Sequence, residues 1–481
     1  MWDCNRMGDL QSPSDKGKTI AVARLLRGAG IDRAVAFTIL GRGWAAFSGI
    51  ISLALLTHFL TGAEQGFYFL FAEVLAVQIF FELGLAYVLV QFASHERARL
   101  EWTNAGLLDG DPIALARLAS LLRLSVRWYA VVAALIVLLV LPGGWLFFSL
   151  HAPSGSNIAW NWPWVWIVVV TAGSLLLSPL LAVLEGCGLI AEIARFQIYQ
   201  NVAGSILFWG ALLSHWGLAT APITNTVMLL SSAGWLWFTK GRLLSDIWAG
   251  ANSRDRIDWK QELWPLQWRM ALTWLGGYFV FHIFQPLLYV YQGPVASGRL
   301  GLSLAITAAL GGVALAWVST KAAPFGMLIA RQDYRELDRR FFPCLWQSLG
   351  ILSLGCLLIW LGDAALFWQH SPLRLRILDP LPMALLLAAT VSTHVIFSEA
   401  VYLRAHKQEP FLGITLVQGL CAAIASVVLG RFYGVTGMML GYFIFSLLIG
   451  VGGGTWIFRQ KRAQWHISDP ATLEKPLLEN T

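Results

Sequence analysis

Apolar runs of about 20 residues recur along this chain from end to end, the length a helix needs to cross a hydrocarbon core about 30 Å thick. Backbone groups inside lipid must find partners within their own segment, so these runs predict helices. The short alternating strands of a membrane barrel, about ten residues each, do not occur in the pattern. The composition agrees, since only 13% of the 481 residues are charged and 57% are hydrophobic. The spans predicted are 34–59, 66–93, 124–150, 163–188, 194–214, 221–239, 264–290, 299–322, 342–362, 379–402, 410–430 and 436–458. The expected fold class is therefore all-α integral membrane, with about 12 spans.

Charge gives these spans a direction. With the N-terminus inside, 27 of the 34 Lys and Arg residues fall on inner segments. The outer loops hold only Arg374, Arg376 and Arg431. That asymmetry predicts both termini in the cytoplasm. It also excludes nucleic acid as the partner of the net charge of +7, because the basic residues follow topology and form no single patch. The five cysteines show no paired spacing and read as small apolar filler, and no metal or cofactor is expected.

Residues 1–33 read as a cytoplasmic leader, 34–239 as a first six-helix bundle and 240–263 as a cytoplasmic linker. Residues 264–458 form a second bundle and 459–481 a tail. The connection 94–123 and the start of the third span contain IALARLASLLRLSVR (113–127), which predicts an interfacial helix with Arg117, Arg123 and Arg127 towards headgroups.

The two bundles echo each other. GRGWAAFSG (41–49) matches WRMALTWLG (268–276), which aligns Arg42 with Arg269. YVLVQFASHERARLE (87–101) matches PFGMLIARQDYRELD (324–338). LEGCGLIA (184–191) matches SEAVYLRA (398–405), which aligns Glu185 with Glu399. Six spans per half make the repeat parallel, and transporters built so bind substrate near the midplane between their halves.

The segment EQGFYFLFAEVLAVQIFFELGLAYVLVQFASHE (64–96), with WPLQWR and LGGYF (264–279) and PFGMLIARQDY (324–334), resembles the MOP (multidrug/oligosaccharidyl-lipid/polysaccharide) exporter superfamily. Within it the likeness is to the polysaccharide biosynthesis or O-antigen flippase branch. The family's acidic-Leu-Gly-Leu-Gly motif reads Glu82-Leu83-Gly84-Leu85-Ala86 here, departing at the last position. The resemblance implies a bacterial inner-membrane flippase, working as a monomer, that moves a lipid-linked, undecaprenyl-diphosphate oligosaccharide outward. It further implies a polysaccharide polymerase and a chain-length regulator as partners. A multidrug or cation antiporter of the same superfamily is the alternative. An enzyme is not expected, because the predicted outer loops are too short to hold a catalytic domain.

Against that expectation, Arg42, Arg269 and Lys321 are candidates for a pyrophosphate clamp, because guanidinium groups bind phosphate oxygens bidentately. Arg42 would lie about 12 Å and Arg269 about 8 Å from the inner face at 1.5 Å per residue. Snorkelling to the interface is the plain alternative for each. Arg299, near the outer face, reads as an end-of-helix residue. Glu82 either couples transport to an ion or pairs with Arg42 or Arg269, and Glu73 reads as structural. Glu399 and its partner Glu185 suggest an inner gate. His282, with Gln285 and Pro286 near it, predicts a bend that opens onto a cavity, whereas His394 reads as a core histidine.

Overall fold

The computed structural model describes residues 33–82, 84–151, 158–249, 257–264, 267–268, 271–272, 277–278, 282–406 and 410–467. Among the described residues, eight helical stretches are long and apolar enough to cross a membrane. In the first half, α1 (Arg33–Phe59) leads to α2 (Gly62–Leu75), α3 (Ile79–Glu82) and α4 (Leu85–Arg97). A hairpin, β1 (Leu100–Trp102) with β2 (Leu108–Gly110), precedes α5 (Pro112–Leu135) and α6 (Leu141–His151). Then come α7 (Asn161–Leu184), α8 (Ile190–Leu213), α9 (Ile223–Trp235) and α10 (Gly241–Ala249). The second half holds α11 (Phe284–Ser319), α12 (Ala322–Ala330), α13 (Tyr334–Trp368), α14 (Pro380–Ala405), α15 (Leu412–Phe445) and α16 (Gly454–Ile467).

Three of the long stretches reverse at glycines with positive φ: Gly188 (98°), Gly293 (81°) and Gly434 (59°). Gly293 and Gly434 fall between two spans predicted from the sequence, and Gly188 is the last residue of one. The seventh predicted span is described only in part, at 264, 267–268, 271–272, 277–278 and 282–290. Local signals place the helix starts. Thr61 and Glu64 close a capping box on α2, with Thr61 Oγ1 accepting from the Glu64 amide at 3.2 Å and Glu64 Oε2 accepting from the Thr61 amide at 2.8 Å. Asp111 caps α5 just before Pro112, and Asp333 caps α13.

Two features differ from the sequence reading. The stretch 113–127 is not a separate interfacial helix; it is the start of a helix continuous from Pro112 to His151. Leu118, Leu121 and Leu122 are fully buried there, so packing against the first-half core holds the segment on the spanning helix. The β1–β2 hairpin was not foreseen. Its antiparallel pairing, Leu100 opposite Gly110 and Trp102 opposite Leu108, closes through a turn with Gly106 at φ 72°.

We call the end bearing residues 60–62 and 369–379 the apex, and the end bearing 97–111 and 331–333 the base. The first half packs around an aromatic and aliphatic core that includes Phe67, Phe71, Phe148 and Trp164. The second half has two clusters, one around Phe284, Met383 and Met438 and one around Phe341, Tyr402 and Phe458. The halves meet along α2 and α11. At the apex this seam is tight. Gln65 Nε2 donates to the Gly298 carbonyl at 2.9 Å and to the Arg376 carbonyl at 3.1 Å. Tyr289 of the second half inserts into the first-half core, 5.7 Å from the Phe67 ring centre.

Candidate functional site

Below the apex, two of the cavities among the described residues differ in chemistry. The first, of about 870 Å³, lies within the first half between α3, α4, α7, α8 and α9. Its polar wall is made of amides and hydroxyls, chiefly Gln78, Ser174, Gln197, Gln200, Asn201 and Asn225, with Glu82 and Glu185. The sequence around Glu82 explains why the wall is polar here. The second span does not run straight. It passes through a 3₁₀ turn at Ala76–Gln78, and Gly84 stands at φ 66° between α3 and α4. Glycine takes that conformation without a Cβ penalty. Irregular backbone at membrane depth occurs where it is buried in protein or lines a cavity.

Glu82 is bound by a neighbour in its own half. Tyr129 on α5 donates its hydroxyl to Glu82 Oε1 at 2.8 Å. Glu185 lines the same cavity, at the start of the π-helical turn Glu185–Leu189 that contains Gly188. Gln200 donates to Ser232 Oγ at 2.8 Å and to Ser231 Oγ at 2.8 Å, so the far wall is itself a hydrogen-bonded network.

The second cavity, of about 560 Å³, lies across the seam. Phe69 and Glu73 of α2 face residues of the second half, among them Gly301, Leu304, Ala308, Thr393 and Tyr442. Its walls are mostly apolar, with the hydroxyls of Thr307, Thr390, Thr393 and Tyr442 and two hydrogen-bonded clusters among them. At one, Glu73 Oε2 lies 2.6 Å from His282 Nδ1, and Glu73 Oε1 accepts from Gln285 Nε2 at 3.1 Å. At the other, Ser348 Oγ donates to the Ala314 carbonyl at 2.6 Å and lies 2.7 Å from His394 Nε2. A hydroxyl has one proton, so His394 Nε2 must be the donor in that contact. His394 is thereby tied to the core, as its sequence context suggested.

The sequence candidates divide as follows. His282 and Gln285 come together, through Glu73, at the seam. Glu82 lines the first-half cavity. Glu399 is apart from both, buried near the base, with Oε1 accepting from Thr455 Oγ1 at 2.9 Å. Arg42 lies on α1 with its side chain exposed, and Lys321 is exposed before α12. Neither lines either cavity, and neither forms an ion pair among the described residues. Arg269 is outside the described residues. Arg299 is an apex residue, its Nε donating to the Ile377 carbonyl at 2.6 Å and its Nη2 pairing with Asp379 at 2.5 Å. Glu73 is the residue the sequence undervalued. What marks it is its position, two residues ahead of the break in the second span, on the helix that faces the other half.

Base-side ion pairs complete the picture. Arg117 bridges Glu96 at 2.7 Å and Glu262 at 2.5 Å, joining the first-half base to the segment that enters the second half. Asp338, after α12, is gripped by Arg462 of α16 at 2.6 Å and by the Tyr402 hydroxyl at 3.0 Å. No group of three or more His, Cys, Asp or Glu positioned to hold a metal occurs among the described residues.

The described residues thus form two helical halves that pack tightly at the apex, with one cavity on the seam and one beside it. Solved structures carry the same fold. The lipid II flippase MurJ, in an inward closed conformation, superimposes with a TM-score of 0.63 at 12% identity, over 93% of this chain and 93% of MurJ. An inward-facing multidrug resistance MATE family transporter of the MOP superfamily gives a TM-score of 0.60 at 15% identity, covering 88% of this chain and 95% of that one. A Vibrio cholerae MATE transporter gives 0.51 at 13% identity, over 90% and 95%. No family model and no curated protein matches the sequence. The chain therefore has the fold of these structures.

Proposed function

We propose that this protein is a carrier that moves a lipid-linked oligosaccharide across the bacterial inner membrane by alternating access, with the base in the cytoplasm. The observation that carries the reading is the amide- and hydroxyl-lined cavity of the first half. Sugar hydroxyls both donate and accept, and side-chain amides and hydroxyls answer them in kind. A binding wall of Gln78, Gln197, Gln200, Asn201 and Asn225 satisfies many such groups without committing to a charge. The lipid-linked substrate would present its pyrophosphate towards the base, where Arg42 and Lys321 would supply cations, with Arg269, which lies outside the described residues, as the third candidate of the clamp. A monomer suffices for this cycle, and a polymerase and chain-length regulator would act on the exported units.

A second reading, a multidrug or cation antiporter, has its own support. Glu73, Glu82 and Glu185 line the cavities, and no Lys or Arg lines either one among the described residues. Such walls suit a cationic amphiphile.

Reconstitution separates the two. Proteoliposomes carrying a fluorescent undecaprenyl-diphosphate sugar report leaflet exposure by quenching. Protein-dependent crossing is expected. Absence of crossing, together with expulsion of a cationic dye, would replace the first reading with the second.

A further inference from the structure

The second span and the segment that leads into α11 are each broken near the point where they meet. α2 gives way to a 3₁₀ turn at Ala76, and the chain bends at His282–Ile283 just before α11. Between them lies a contact that belongs to neither half alone. Glu73 takes hydrogen bonds from two second-half groups, His282 Nδ1 at 2.6 Å and Gln285 Nε2 at 3.1 Å. Phe80 and Tyr278 make an edge contact beside it, ring centres 4.7 Å apart, and the Tyr278 ring lies 5.5 Å from the His282 ring. Gln285 is 3% exposed, and its Oε1 has no partner among the described residues.

The titratable groups around the pair are few. α2 contributes Glu73, the entering segment Tyr278 and His282, α14 contributes His394, and α15 contributes Tyr442. His394 Nε2 donates to Ser348, and no Lys or Arg lines the cavity among the described residues. Among the described residues, the group that touches the Glu73 carboxyl and can carry a positive charge is the His282 imidazole.

We propose that Glu73 and His282 form a proton-loading latch between the two halves. The proton on Nδ1 makes the hydrogen bond to Glu73. A second proton, taken up from water at Nε2, turns that bond into an ion pair within an apolar cavity and ties α2 to the entry of α11. Loss of that proton leaves the carboxylate without a counter-charge, weakens the tie and frees Glu73 for a donor-rich or cationic group of the cargo. The sequence of loading and release rests on the carrier reading, whereas the proton-sensitive contact does not.

The test uses the full chain in lipid nanodiscs, with no cargo. Spin labels go on Ala98→Cys and Arg331→Cys, exposed base positions of opposite halves. Cys4 and Cys421 are replaced by serine, while Cys187, Cys344 and Cys356 are buried. The distance distribution between the labels is measured at about pH 5 and about pH 8, the range over which histidine titrates. A shift towards longer distances at the higher pH is expected. His282→Gln keeps a donor for Glu73 but cannot take up a proton, so its distribution should not respond to pH. An unresponsive wild type, or the same response in His282→Gln, overturns the latch. Glu73→Gln should also lose the response; if it does not fold, His282→Gln alone decides. A latch that responds while the fluorescent sugar lipid fails to cross would leave this inference standing and remove the proposed cargo.

Discussion

Gly66 and Pro294 touch backbone to backbone: a Cβ on Gly66 would lie 1.9 Å from the Pro294 carbonyl oxygen. Gly298 is held as closely, since a Cβ there would lie 2.7 Å from the Gly66 amide nitrogen. The apex seal between α2 and α11 thus depends on two glycines facing one another across the seam. Backbone atoms cannot move aside as the tip of a flexible side chain can, so an added side chain must force the helices apart.

Gly66→Val should therefore open the apex. Forcing extra methyl groups into a packed site costs about 1–3 kcal/mol, and about 1.4 kcal/mol is tenfold in an equilibrium. A cysteine placed at the buried Ser297 reports the change. Its labelling by a water-soluble maleimide should rise about tenfold in Gly66→Val, following that arithmetic. Gly43→Val, where a Cβ meets nothing within 4 Å, is the control and should leave the rate unchanged. Equal rates in all three proteins would show that the glycine contact does not hold the apex shut.

The base seam is sensitive to acid through Glu262. The hydrogen bond from Arg117 holds the Glu262 carboxyl below its ordinary range. A carboxyl whose folded value lies below the unfolded one, about 4.3 for Glu, adds stability above that value. The stability is lost as pH falls through the folded value. Glu262→Gln cannot titrate, so its melting temperature should fall less than that of the wild type between about pH 6 and pH 3. The two proteins should differ most at the upper end of that window. Parallel curves would show that the Arg117 bridge contributes nothing to the acid response.

Much of the fold was legible because membrane insertion imposes a simple rule on the sequence. Spans 163–188, 264–290 and 410–430 were predicted to end within a few residues of Gly188, Gly293 and Gly434, where the chain does reverse. The hairpin at 100–110 was not legible, since three-residue strands leave no periodic trace. Nor was the continuation of α5 into the base, because an amphipathic stretch looks alike on a lipid surface and against a protein core. In the site, His282 and Gln285 could be picked out beside Pro286. Their partner Glu73 could not, because it lies 209 residues from His282 in sequence and hydropathy says nothing about which helices adjoin.

The two arginines at opposite ends of the chain's buried-charge pattern should behave differently. Arg299 is paired with Asp379 and bonded to the Ile377 carbonyl. Arg42 is exposed and forms no ion pair among the described residues. Arg299→Ala should destabilise by about 1–3 kcal/mol, the scale for charge-assisted bonds left unmade. Arg42→Ala should change stability by less than about 0.5 kcal/mol. If Arg42 serves the phosphate clamp, the same variant should slow crossing of the sugar lipid by about tenfold or more, the worth of one charged contact. Unimpaired crossing would remove Arg42 from the clamp. A large stability loss would show that it has a structural role instead.

The last helix is fastened to the second half by Arg462, and the fastening should be measurable as a coupling. Both Nε and Nη2 reach Asp338 Oδ2, at 2.9 and 2.6 Å, and the Tyr402 hydroxyl donates to the other oxygen. Trp465 stacks on His406 with ring centres 3.6 Å apart and planes within 5°. Asp338 is mostly buried, its side chain 12% exposed, so Arg462→Ala removes two charge-assisted bonds from a carboxylate that water reaches poorly. Arg462→Ala should cost about 1–3 kcal/mol. The double variant with Asp338→Asn should cost less than the sum of the two single changes, because both changes remove the same pair of bonds. The exposed pair Arg340–Glu336 on α13 supplies the contrast. There the loss should stay within about 0.5 kcal/mol, as for ordinary surface pairs one helical turn apart. Hydrogen exchange should follow the same division, rising throughout Gly454–Ile467 in Arg462→Ala and remaining unchanged in Arg340→Ala. If α16 keeps its protection without Arg462, the aromatic stack holds the helix and the ion pair does not.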